Sequence, residues 1–122
     1  MHISPDKMET YRATARLRAA EERRELALRH ERAWSVARQA AEFLRREYGV
    51  DRVVVFGSLV RIELFHPRSD IDLGVWGLDE KHYYRAVARL LALDPAFEID
   101  LVMAEEAPVS LLARIQGEGK DL

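Results

Sequence analysis

Residues 52–76 read RVVVFGSLVRIELFHPRSDIDLGVW, and this stretch decides the fold. Arg52 to Phe56 is short, β-branched and apolar, the pattern of a buried strand. Gly57-Ser58 ends it abruptly. Residues 59–65 suit a short helical turn. His66-Pro67-Arg68-Ser69 reads as a loop, because Pro67 has no N–H to donate and restricts His66. Asp70 to Trp76 then alternates polar and apolar before turning wholly apolar, which predicts a second strand.

Upstream, Trp34, Ala37, Ala40, Ala41, Leu44 and Tyr48 recur at helical spacing, and Gly49 supplies a stop. Before them, residues 5–29 hold no Gly and no Pro after Pro5, and are rich in Ala, Arg, Glu and Leu. Ser4 is placed to cap this segment and Pro5 to open it. Its apolar stripe is thin: Met8, Tyr11, Ala15, Ala19 and Leu26. The Arg/Glu-rich run 16–32 reads as a solvated helix face laced by i,i+4 pairs. The expectation is one long N-terminal helix or a helix pair. Downstream, Asp79 to Leu93 is predicted helical with Asp79 as cap, and Asp94-Pro95 breaks it. Phe97 to Met103 predicts a third strand, and Pro108 to Gln116 a closing helix ended by Gly117.

The order helix, helix, strand, strand, helix, strand, helix describes a small α/β (α+β) fold, a sheet flanked by helices. The pattern leaves open which strands run parallel. We divide the chain into an N-terminal helical extension, 1–30, and a domain, 31–122. At 122 residues there is room for one core. The composition, 48% hydrophobic and 33% charged, is that of a folded globular chain rather than a disordered one. A net charge of -2 gives no general case for nucleic-acid or membrane binding. The absence of cysteine excludes disulfides and thiolate metal sites. Met1 to Arg12 is too polar for a signal peptide, so a cytoplasmic location is expected.

Three features carry chemistry. A glycine directly after a buried strand lets the backbone approach a ligand, and a helical turn after it aims N–H groups at the mouth, an arrangement suited to phosphate. Ser58 adds a hydroxyl donor. Taken alone, such a junction is more often a structural turn. Asp70 and Asp72, two apart on a strand, project to one face while Ile71 and Leu73 project to the other. Paired carboxylates cost free energy unless they share a cation, and hard oxygen ligands suit Mg²⁺. The bland alternative is two solvated acids on an exposed face. Asp100, in Glu98-Ile99-Asp100-Leu101-Val102, repeats the alternation. If its strand neighbours the Asp70 strand, three acids surround one or two divalent ions, the recipe for in-line nucleotidyl or phosphoryl displacement. Glu98 shares the Asp100 face and reads as solvated.

Gly57-Ser58, eleven intervening residues, Asp70-Ile71-Asp72 and a later Asp100 in an aliphatic strand resemble the signature of the nucleotidyltransferase superfamily. Within it the chain most resembles the minimal nucleotidyltransferases, antitoxin members of two-gene toxin–antitoxin pairs. The similarity spans residues 31–122 and includes Glu118-Gly119. It implies a polymerase-beta-like fold with a small mixed sheet. It implies that Gly57 and Ser58 hold the triphosphate of ATP, that Asp70, Asp72 and Asp100 bind Mg²⁺, and that Asp100 helps deprotonate the acceptor. Arg61 matches the basic residue that often follows the Gly-Ser and would contact phosphate. Ser69 precedes the first acid as in many relatives, where it caps the turn. Ile62-Glu63-Leu64-Phe65 depart from the small residues that often follow the Arg position, which bears on the acceptor side.

The resemblance further implies a partner, a HEPN-domain ribonuclease whose tyrosine hydroxyl receives AMP. It says nothing of residues 1–30, whose charged helix is, as the lesser reading beside a solvated one, a route to homo- or hetero-oligomers. Two other readings stand beside it. One is a non-catalytic antitoxin acting by binding alone. The other is a small-molecule transferase of the antibiotic-modifying kind, for which the chain lacks acceptor-binding helices. Direct nucleic-acid binding is not expected, because there is no basic track.

Overall fold

The computed structural model describes residues 3–122. Met1 and His2, the first positions of the expected 1–30 extension, lie outside the described residues. The elements are α1 (Pro5–Tyr48), β1 (Arg52–Phe56), β2 (Ile71–Trp76), α2 (Tyr83–Leu91), β3 (Ile99–Met103), α3 (Val109–Glu118) and β4 (Lys120–Asp121). Short 3₁₀ turns occupy Gly57–Leu59, Ile62–Leu64, Glu80–His82 and Ala104–Glu106.

No break interrupts the N-terminal segment: α1 is one helix of 44 residues. Ser4 caps it by accepting from the Lys7 amide, and Pro5 sits in its first turn. Gly49 closes it in the left-handed region at φ 60°. Its buried residues all lie between Ala33 and Leu44. Before them Leu26 still packs on the core, Arg29 donates to the Ala96 carbonyl and His30 bonds the Leu59 carbonyl; further toward its start the helix runs past the domain, and Tyr11 and Leu17 are exposed.

The strands form one mixed sheet in the order β3-β2-β1-β4. β1 pairs antiparallel with both β2 and β4, and β2 pairs parallel with β3. On one face Val53, Val55, Ile71, Leu73, Val75, Ile99 and Leu101 pack against α1 and against Ala86 and Leu90 of α2. The other face is smaller: Val54 and Phe56 meet Ile115 of α3, with Trp76, Val102 and Leu111 at the margin. Phe65 and Leu59 carry the connection between β1 and β2 into the larger core.

Three expectations change. The predicted helix 79–93 begins as a 3₁₀ turn, with Asp79 accepting from the Lys81 amide, and is regular only over Tyr83–Leu91. α3 runs through Gly117, whose missing Cβ would meet nothing, and stops at Gly119. There a Cβ would overlap the Ile115 carbonyl and the Val54 side chain, so only glycine lets the chain turn close against β1. The turn delivers β4, a two-residue strand the pattern did not predict, with Val54 opposite Asp121 and Val55 opposite Lys120. Arg52 and Asp121 then bridge the two strands at 2.7 Å.

The uneven burial of α1 sets a test. A chain beginning at Glu21 is expected to lose helical circular-dichroism signal yet unfold cooperatively, with Tm lower by less than about 4 °C. Leu73→Ala, at a fully buried position, is expected to cost about 2–5 kcal/mol in the same denaturation experiment.

Candidate active site

The parallel pairing of β2 with β3 sets Asp72 directly beside Asp100. Adjacent strands lie about 4.8 Å apart, so the two carboxylates share one patch of the sheet face. That is the face of Val54, Phe56 and α3, and α3 leaves this end of it uncovered: Asp70 and Asp100 are exposed and Asp72 half-buried. Asp70 stands one residue before β2 rather than within it, and Asp70, Glu98 and Asp100 together line a cleft of about 340 Å³.

The antiparallel pairing on the other side puts Phe56 opposite Asp72, so the residue after β1 lies against that carboxylate. This residue is Gly57, at φ 77°. Any Cβ there would overlap the Asp72 carboxylate oxygen. The torsion calls for glycine, and the close approach leaves no room for a Cβ while the Asp72 carboxylate keeps this position. The Gly57 carbonyl accepts from the amides of Val60 and Arg61 at 3.2 and 3.1 Å, which curls the chain back at once. The opening amides of such a turn have no partner within it. Ser58 is half-buried beside them.

The electrostatics follow from this crowding. The Asp72 carboxyl is pushed up to about 6, first by burial, then by the charges of Asp100 and Asp70, while Arg114 pulls it down. Three mutually repelling oxygen donors, one already inclined to hold a proton, fit a hard divalent cation. Among the described residues no three His, Cys, Asp or Glu side chains close into a ready cage. Mg²⁺ commonly completes its shell with water and substrate phosphate, so a pair or row of acids without a cage suits it.

The other sequence candidates fall in two places. Ser69 is buried, and its hydroxyl accepts from the His66 amide at 2.9 Å. Its own amide donates to the His66 carbonyl, so it closes the loop leading to the acids. Arg61 faces Glu63 at 3.4 Å and Glu118 at 3.8 Å, tying the Gly57 turn to the end of α3. The other carboxylate oxygen of Glu118 is buried without a hydrogen-bond partner. Two residues escaped the sequence reading. Arg114 lies close enough to Asp72 to act on its charge, but nothing in the α3 pattern distinguishes it from a surface arginine. Tyr83 donates from its hydroxyl to the Leu101 carbonyl at 2.7 Å, and burial together with the Asp100 charge raises its pKa.

A family described as polymerase beta, nucleotidyltransferase, matches residues 38–122. None of the curated proteins matches the chain. Among solved structures, a mutant of a MntA–HepT toxin–antitoxin is 27% identical, with a TM-score of 0.58 over 70% of this chain and 69% of that one. A toxin–antitoxin with AMP-PNP is 24% identical, with a TM-score of 0.58 over 68% and 69%. The Shewanella oneidensis complex of a tri-AMPylated HEPN toxin with an MNT antitoxin is 20% identical, with a TM-score of 0.56 over 73% and 70%. The resemblance to minimal nucleotidyltransferases in the sequence is met again in these structures.

The raised Asp72 pKa has a signed consequence. The unfolded chain releases this proton near 3.8 and the folded chain near 6, so metal-free stability falls as pH rises between those values and stays lower above them. Asp94, held down by the Ala96 amide and Arg32, and Asp121, held down by Arg52, act in the opposite direction, below about 3.8. Thermal melts from pH 4 to 6.5 are therefore expected to show a falling Tm for the wild type. In Asp72→Asn this component is absent, leaving the variant the more stable of the two above pH 6.

Proposed function

This chain belongs to the polymerase beta nucleotidyltransferase family, and from that premise we propose that it transfers AMP from ATP to a hydroxyl of a partner protein. In this reading the partner is a HEPN-domain ribonuclease toxin, modified and neutralised in the cytoplasm by its antitoxin. Residues 31–122 are the transferase unit and residues 1–30 an extension. The observation that carries the proposal is the register Phe56–Asp72–Asp100, which brings the glycine turn and the acids to one place.

The residues divide the work. The Gly57 turn and the Ser58 hydroxyl receive phosphate oxygens, and the missing Cβ keeps that approach open beside Asp72. Arg61 sits on the same turn with its guanidinium between Glu63 and Glu118, where it adds positive charge near the triphosphate. Arg114 offsets part of the negative charge around Asp72. Asp70, Asp72 and Asp100 would hold Mg²⁺, which supplies charge neutralisation for the triphosphate and the developing oxyanions. Asp100, on the exposed side of the trio, takes the acceptor hydroxyl proton. The acceptor oxygen bonds to the α-phosphorus as the bond to the bridging oxygen breaks, and pyrophosphate leaves with that electron pair. Ser69 fixes the loop that presents Asp70.

Support for an AMP donor and a HEPN acceptor comes from the relatives: one was crystallised with AMP-PNP, and another is an MNT antitoxin in complex with an AMPylated HEPN toxin. The test is incubation of the chain and the neighbouring-gene protein with Mg²⁺ and ATP labelled on the α-phosphate. Label is expected on the partner, and Asp70→Asn or Asp72→Asn is expected to reduce transfer at least about 100-fold. Absence of label with every divalent metal would sink the catalytic reading. Undiminished neutralisation by the double Asn variant would favour an antitoxin that acts by binding alone.

A further inference from the structure

β3 is an edge strand, paired on one side only, by β2. The Ile71 amide donates to the Glu98 carbonyl, so Glu98, Asp100 and Val102 turn their backbone groups toward β2. Ile99, Leu101 and Met103 turn theirs to the open edge. The Tyr83 hydroxyl bonds the Leu101 carbonyl from that side. A groove of about 400 Å³ follows this edge, touching four consecutive residues from Asp100 to Met103. Successive side chains of a strand point to opposite faces, so a groove that meets four in a row runs along the backbone itself.

Besides β3 it is lined by Tyr83 and Tyr84 of α2 and by Glu106, Ala107 and Pro108, which follow β3. The charged residues lining it are Glu80, Asp100 and Glu106, with no Lys, Arg or His among them. Tyr84 is 85% exposed, and Val109, next to Pro108, is 86% exposed. Among the described residues these are the most exposed large apolar side chains, one lining the groove and the other adjoining its lining residue Pro108. An open strand edge with exposed apolar side chains beside it is ordinarily a pairing hazard, and this one carries a catalytic candidate, Asp100.

We infer that this groove docks the acceptor protein: it takes an extended, cationic segment laid beside β3 as an added strand, with its hydroxyl side chain presented to Asp100. The inference rests on the transferase reading for the role of Asp100. The open edge calls for a polypeptide, because the Leu101 amide and both Met103 backbone groups match another main chain. The three acids set its charge, and the exposed Tyr84 and Val109 give its flanking side chains apolar contact.

The experiment uses the full chain and a short synthetic peptide with one tyrosine flanked by lysines. Backbone-amide NMR at low salt is expected to shift Leu101 and Met103 most. Three changes are each expected to weaken binding at least tenfold: glutamates for the peptide lysines, N-methylation of alternate peptide amides, and the Glu80→Lys/Glu106→Lys variant. Equal binding of the acidic or N-methylated peptide overturns the inference, as do shifts centred away from β3. A polyamine or an aminoglycoside that binds as well as the lysine peptide overturns it too, in favour of a small cationic acceptor. Peptide binding as described, without label from ATP on any acceptor, leaves the groove standing and removes the transferase reading. Label transfer to the partner protein unaffected by Glu80→Lys/Glu106→Lys does the reverse.

Discussion

Everything at the candidate site depends on how closely the end of β1 approaches the middle of the acidic face. Antiparallel pairing sets Phe56 opposite Asp72, and the next residue has no side chain, so backbone and carboxylate come into contact. Had Gly57 carried a Cβ, either β1 would end elsewhere or Asp72 would turn away. Asp72 is half-buried there, which raises its pKa, and the neighbouring Asp100 adds to the effect. Glycine turn and acid row are therefore one arrangement rather than two adjacent ones.

The sheet supports this arrangement unequally on its two sides. Toward α1 and α2 it is a continuous apolar core, built from the alternate residues that are not acids. Toward α3 only a small cluster around Ile115 is buried, and Gly74 gives α3 room to lie close. The acids occupy the part of that face that α3 does not cover, where Arg114 of that helix acts on Asp72. The larger core and the candidate site thus lie on opposite faces of the same strands, an outcome of two-residue periodicity.

Much of this was legible in the sequence. The alternation in Asp70–Leu73 and Ile99–Leu101 separates core from acid residues without coordinates, and it places Asp72 and Asp100 on comparable faces. The sequence pattern left open whether their strands are neighbours and whether they run parallel, because that depends on the path of the connection through α2. β4 was invisible, since two residues carry no period and Lys120 and Asp121 join the sheet only through tertiary pairing. Gly117 misled, because a glycine tolerated within a helix resembles one that ends it. The stop at Gly119 depends on Val54, far away in sequence. Arg114 was hidden for a similar reason, as its nearness to Asp72 exists only after α3 has packed.

The uninterrupted run of α1 has a geometric consequence. From Ala33 to Leu44 its apolar side chains fix the rotation of the helix about its own axis against the sheet. No Gly or Pro between Asp6 and Tyr48 gives that rotation anywhere to relax. The azimuth of Tyr11, about 20 Å beyond the core contact at Leu26 at about 1.5 Å per residue, is therefore dictated by side chains packed on the domain. One residue inserted in the shaft would swing the far end by about 100° while leaving the globular part as it was.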